Sequence, residues 1–215
     1  MAGIGIQTAA LSVGGLAGPP PREAVTESFD GTSWTEVSDL NTARRNMGSC
    51  GTTTAALVTG GGPPDLGVTE TYNGTSWSEV ADLNTARLSS GGAQKGTTTA
   101  ALVFGGGPPA KSETESYNGT SWTETTDLNT AREKAGGAGV QTNALAFGGG
   151  PGSKTVTESF NGTSWTEVAD LATGRTAFGH NGTANDAFAA GSPPAVVSSE
   201  VWTGAPVSAK VVTVS

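Results

Sequence analysis

The chain has 215 residues, 33 of them glycine and 11 proline, and carries a net charge of −8 from 11 Lys and Arg against 19 Asp and Glu. It contains no basic run, which excludes the electrostatic footprint that a phosphate backbone or an anionic lipid surface needs; nucleic acid is not an expected partner. It also contains no run of about 18 apolar residues, so membrane insertion is not expected, and its one cysteine, Cys50, excludes an internal disulfide framework.

Residues 1–16 lack both a charged leader region and a continuous apolar stretch, which predicts a chain made in the cytoplasm without a signal peptide. Residues 9–15 form the first of five small, apolar, glycine-ended runs. The others are residues 54–62, 100–107, 144–150 and 187–191, as expected for strands covered on both faces. Their small side chains suit crowding around an axis, and we expect them to be the innermost strands. Each leads through a proline-bearing connection, such as Pro19-Pro20-Pro21, Pro63-Pro64, Pro108-Pro109, Pro151 and Pro193-Pro194, into a hairpin.

The hairpin is the clearest signal in the chain. Residues 26–37 return with few changes at residues 69–80, 114–125 and 157–168, and a worn fifth copy begins at Ser199-Glu200-Val201-Trp202. Glu27, Glu70, Glu115, Glu158 and Glu200 therefore step by 43, 45, 43 and 42 residues, the size of one propeller blade. In each hairpin Asp30-Gly31, Asn73-Gly74, Asn118-Gly119 or Asn161-Gly162 is a turn signal, both residue types tolerating positive φ. The sequons at Asn73, Asn118, Asn161 and Asn181 read as turn chemistry, since no secretory leader is evident. Trp34, Trp77, Trp122 and Trp165 follow the turns and are read as structural wedges between blades.

After each hairpin, residues 39–44 (Asp-Leu-Asn-Thr-Ala-Arg) recur at 82–87, 127–132 and, altered, at 170–175. Arg44, Arg87, Arg132 and Arg175 are read as structural, pairing either with the acid of the same loop or, for Arg44, with the hairpin carboxylate Glu27. The last repeat is one strand short, and Met1 to Thr8 matches the segment that precedes the fourth small-residue run. The expected architecture is thus all-β: one domain over residues 1–215, a five-bladed β-propeller of four-stranded antiparallel blades, closed by the N-terminal strand joining the last blade.

The order of these signals resembles the kelch repeat: an apolar strand ending in Gly-Gly, an aromatic-bearing hairpin with a Trp, then a loop with an Arg. The resemblance spans the chain, although kelch propellers usually have six or seven blades. It implies a propeller and a protein-interaction role; the family's copper-containing enzymatic outlier needs Tyr, His and Cys in a constellation that this chain, with two Tyr, one His and one Cys, does not present. The Asn-Gly-Thr-Ser-Trp and Asp-Leu-Asn-Thr-Ala-Arg repeats also resemble those of predicted virion proteins of marine bacteriophages, which implies a virion location with other virion proteins as partners.

No catalytic residue, metal ligand or cofactor is expected. Residues 28–34 resemble a sialidase Asp box but are one residue short of it. Glu36, Glu79, Glu124 and Glu167 recur in every repeat, which marks a shared fold requirement and not one asymmetric site. His180 has no second histidine beside it. The candidate ligand- or partner-binding residues are the polar turns Asp30, Asn73, Asn118 and Asn161, with Lys95, Gln141 and Asn143 near them on one face. Two functions are expected: a non-enzymatic structural or adhesive virion module, or alternatively a lectin-like propeller, similar to five-bladed lectins of the tachylectin type, that binds a repetitive glycan surface at equivalent sites.

Overall fold

The computed structural model describes residues 1–16, 22–193, 196–204 and 210–212. It is a five-bladed β-propeller, each blade a four-stranded antiparallel meander taken in chain order. The first blade is β1 (Ala2–Ile6), β2 (Ala9–Leu16), β3 (Arg22–Phe29) and β4 (Trp34–Glu36). The second is β5 (Gly48–Thr52), β6 (Ala55–Thr59), β7 (Thr69–Tyr72) and β8 (Trp77–Val80). The third is β9 (Gly91–Gly92), β10 (Ala101–Phe104), β11 (Thr114–Tyr117) and β12 (Trp122–Thr125). The fourth is β13 (Gly136–Val140), β14 (Asn143–Phe147), β15 (Thr157–Phe160) and β16 (Trp165–Val168). The fifth is β17 (Gly179–Gly182), β18 (Asp186–Ser192), β19 (Val196–Thr203) and β20 (Lys210–Val212).

Three expectations are corrected by this arrangement. The N-terminal strand does not complete the last blade: β1 pairs with β2 in the first blade, and the fifth draws all four strands from its own repeat. The physical reason is local: β1 and β2 are joined by a tight turn and pair from Ala2↔Val13 to Ile6↔Ala9, a contact that needs no long-range closure. The expected third strand of the last repeat falls on residues 208–215, of which only 210–212 lie among the described residues; residues 19–21 and 194 of the proline-bearing connections lie outside them too.

The second correction concerns the axis. The innermost strands are β1, β5, β9, β13 and β17, since β1 packs on β5, β5 on β9, β9 on β13 and β13 on β17. The apolar runs β2, β6, β10, β14 and β18 lie one position further out. Crowding at the axis selects glycine more strictly than it selects small apolar residues: a Cβ on Gly137 of β13 would stand 2.2 Å from the carbonyl oxygen of Gly92 in β9. The third correction is to the hairpin turn. Strand pairing closes at Tyr72↔Trp77, leaving residues 73–76 as a four-residue turn in which Gly74, at φ 92°, and not Asn73, takes the positive angle.

Each core lies between blades. Leu57 of β6, for example, packs with Ala101, Tyr117 and Trp122 of the third blade, and Leu145 of β14 packs with Ala187 and Ala189 of the fifth. Four such cores join consecutive blades, so the second, third and fourth blades each contribute half of two cores and the first and fifth half of one, which makes the stability of this fold a sum of interface terms.

Candidate functional site

The chemistry of the site follows from how two consecutive blades are locked. The segment leaving one blade, residues 39–44, crosses to the next, where Glu70 of β7 waits with its carboxylate fully buried. Oε2 accepts the backbone N–H of Asn41 at 2.7 Å and its side-chain amide at 2.9 Å. Oε1 accepts the N–H of Thr42 at 3.2 Å and the Arg44 guanidinium at 3.0 Å. Arg44 also donates to the carbonyls of Gly60 and Val68. Burying two charges is costly, and the cost is met only because nearly every lone pair and N–H finds a partner. Burial pulls the Arg44 guanidinium below its ordinary pKa, and the facing Glu70 opposes that shift.

The same lock repeats at Arg87–Glu115, Arg132–Glu158 and Arg175–Glu200, with all four arginines fully buried. The four arginines sit in buried ion pairs, and the partner differs from both options raised by the sequence. Arg44 reaches neither Asp39 nor Glu27; it takes the corresponding glutamate one blade further on. Asp39 instead caps Thr26, accepting its N–H at 3.1 Å, as Asp170 does for Thr157.

A tryptophan completes three of the four interfaces in the opposite direction, while Trp202 of the fifth blade donates instead to the Ala184 carbonyl of its own blade. The indole N–H of Trp77 donates to Thr26 Oγ1 of the preceding blade at 3.2 Å, that of Trp122 to Thr69 and that of Trp165 to Thr114, both at 3.1 Å. These three rings are each 5% exposed. Trp34 is the exception among the four, at 49%.

That exception belongs to a whole face. On the first blade Glu27, equivalent to Glu70, is exposed, and among the described residues neither its carboxylate nor the Trp34 indole enters any hydrogen bond or ion pair. On the far face of the fifth blade, Phe188 occupies the position of Leu11, Leu57, Leu102 and Leu145; those are 1–3% exposed and Phe188 is 44%. Along the first blade's face runs an open cleft of about 610 Å³ lined by Ile4, Ile6, Ala10, Ser12, Glu27 and Trp34, with Asn181 of the fifth blade at its edge. Beside it a second hollow of about 370 Å³ shares Met1, Ser12 and Glu27. Among the described residues, the first blade thus carries an interblade half-site with no strap packed into it.

The polar turns singled out from sequence do share one end of the propeller. Gly31 packs against Thr8, Gly74 against Thr54, Gly119 against Thr99 and Gly162 against Thr142, placing each hairpin turn beside its blade's first turn. Asp30, Asn73, Asn118 and Asn161 are exposed there, but the Oδ1 of each already accepts two N–H groups of its own turn, as in Thr75 and Ser76 to Asn73 at 2.9 Å. Gln141 is occupied as well, its amide donating to Ser116 Oγ at 2.9 Å and to the Tyr117 carbonyl on the third blade. Lys95 and Asn143 are exposed, and the N–H of Lys95 bonds Gly139 of the next blade.

Glu36, Glu79, Glu124 and Glu167 are exposed, as a solvated strand face requires. His180 packs against the rings of Phe147 and Phe178, and its Nδ1–H donates to the Phe178 carbonyl at 3.1 Å; burial pushes its pKa below the usual value. Burial likewise pushes the Cys50 thiol up to about 12, the environment of an inert thiol. Among the described residues no cluster of three His, Cys, Asp or Glu is placed to hold a metal ion, and no helix is long and apolar enough to cross a membrane. Sequence reasoning missed Glu27 and Phe188. The available signal was a count: five hairpin glutamates stand against four loop arginines.

No protein-family model matches the chain, and no curated protein matches it.

Proposed function

We propose that the chain is a non-enzymatic docking module, a structural or adhesive component of a bacteriophage virion that acts through protein–protein contact. The observation that carries this reading is the unpaired first-blade face, where Glu27 and Trp34 are exposed although their counterparts in the following three blades are buried. An exposed apolar face that also carries a carboxylate is the kind of surface that marks an interaction site. The kelch-like order of motifs and the likeness of the Asn-Gly-Thr-Ser-Trp and Asp-Leu-Asn-Thr-Ala-Arg repeats to virion proteins of marine bacteriophages support the context.

The test is gentle fractionation of a producing lysate, followed by electron microscopy of purified particles. Fixed, stoichiometric positions on a virion are expected, and recovery solely as a free soluble protein would reject the reading. The lectin-like alternative draws on one specific observation, the exposed polar turn that four successive blades present at the same end. Specific, multivalent retention on a glycan array would favour it.

A further inference from the structure

We infer that the hollow beside the first blade is a receptor slot for an arginine-bearing strap of a second protein chain, a segment with the chemistry of Asp-Leu-Asn-Thr-Ala-Arg. This deepens the docking reading above and rests on it. The slot's ligand is identified by its four occupied counterparts within the same molecule. At each, one guanidinium nitrogen donates to two backbone carbonyls and the other to a glutamate: Gly60, Val68 and Glu70 for Arg44; Gly105, Glu113 and Glu115 for Arg87. Gly148, Val156 and Glu158 receive Arg132, and Gly191, Ser198 and Glu200 receive Arg175.

The first blade carries the same acceptor set. Strand register aligns Ser12↔Glu27 with Val58↔Glu70 and Val13↔Thr26 with Thr59↔Thr69, so that Gly14, Val25 and Glu27 stand where Gly60, Val68 and Glu70 stand in the second blade. Gly14 has φ 55° and Gly60 has φ 69°, so the carbonyl-bearing turn is bent alike in both. All three residues line the hollow of about 370 Å³, and among the described residues no guanidinium bonds Glu27 there. Arg45 also borders it, yet no ion pair joins Arg45 to Glu27 among the described residues. The adjoining cleft, with Trp34 on its wall, gives the rest of a strap an apolar bed.

The occupant is a partner chain and not a second copy of this one, because all four arginine straps here are already buried in their own interfaces. Charge complementarity sets the specificity: a carboxylate flanked by two carbonyls accepts the planar, five-donor guanidinium better than a point-charge ammonium.

The experiment uses the intact protein and a synthetic peptide of sequence Asp-Leu-Asn-Thr-Ala-Arg, with a second peptide that ends in citrulline. Binding is read at low salt by calorimetry and by the fluorescence of Trp34, the exposed member of its set. Saturable 1:1 binding is expected, weakened by roughly tenfold or more in Glu27→Gln and with the citrulline peptide, and unchanged in Glu79→Gln. Glu27 is exposed and unpaired among the described residues, so Glu27→Gln should keep the wild-type melting temperature, which is measured alongside. A folded wild-type protein that shows no saturable binding, or binds equally with Glu27→Gln, overturns the slot; the docking reading then stands or falls separately on the particle fractionation. Concentration-dependent self-association that the peptide competes away would make the occupant a second copy and overturn the assignment to a different chain.

Discussion

The interface between the second and third blades and the bare face of the first blade are written in nearly the same residues. Between the second and third blades, Glu115 is sealed under Arg87, Asn84 and Thr85, and Trp122 lies flat on the preceding blade with its N–H on Thr69. On the first blade Glu27 and Trp34 hold the same register positions and touch solvent. The difference teaches that a repeat specifies half an interface at a time. A strap and a hydroxyl supplied by the preceding blade decide whether the half-site becomes core or surface.

Mutations should read this difference as energy. Arg87→Ala is expected to have the largest effect, because it leaves Glu115 buried without its cation: about 3–5 kcal/mol, or a fall in Tm on the order of 10 °C by calorimetry. Glu27→Gln, its counterpart on the bare face, should stay within about 0.5 kcal/mol of wild type, and a large loss there would mean that Glu27 is paired in solution. Next comes Trp122→Phe, which removes an indole donor and part of a buried ring; about 1–3 kcal/mol is expected in denaturant titration, against under about 0.5 for Trp34→Phe. Equal losses at the two sites would show that the first blade's face is covered in the free protein.

Thr69→Val tests the hydroxyl that receives Trp122 and pairs with Thr59 at 2.7 Å; a loss of about 1 kcal/mol is expected from the same titration. The smallest effect belongs to acid. The N–H groups of Ser33 and Thr32 hold the Asp30 carboxyl below its ordinary 3.8, so its support of the turn is present above that value and vanishes as pH falls through the lower folded value. The amide resonances of Thr32 and Ser33 should shift in that acidic window, and Asp30→Asn, which installs the side chain used at Asn73, should abolish the shift while keeping the turn.

Much of the architecture was legible because the repeat is so regular. Near-equal spacing of Glu27, Glu70, Glu115, Glu158 and Glu200 announced five blades, and the small-residue runs and hairpins marked three of the four strands in each. The axial strand was harder to read. Sequences such as Gly-Ser-Cys-Gly-Thr and Gly-Gly carry few side chains, so no alternation declares which way they face. Closure was misjudged for a related reason: near-identical repeats make the chain's first strand an equally good match for any blade, and register alone does not choose between joining the last blade and staying with β2.

The candidate site was the least legible part. Polarity and turn propensity drew attention to Asn73, Asn118, Asn161 and Gln141, whose Oδ1 or amide groups the fold uses internally. Glu27 looked like one more repeated glutamate.

By itself the sequence determined the all-β class, the number of blades and the residues that lock them, because those depend on local periodicity and on identical chemistry recurring at a fixed interval. Only the tertiary structure decided which partner each lock takes and where one is left open. A strap and the glutamate it serves lie about 26 residues apart in the chain, as Arg44 and Glu70 do. Their pairing is set by how one blade stacks on the next, a geometry that no local pattern encodes.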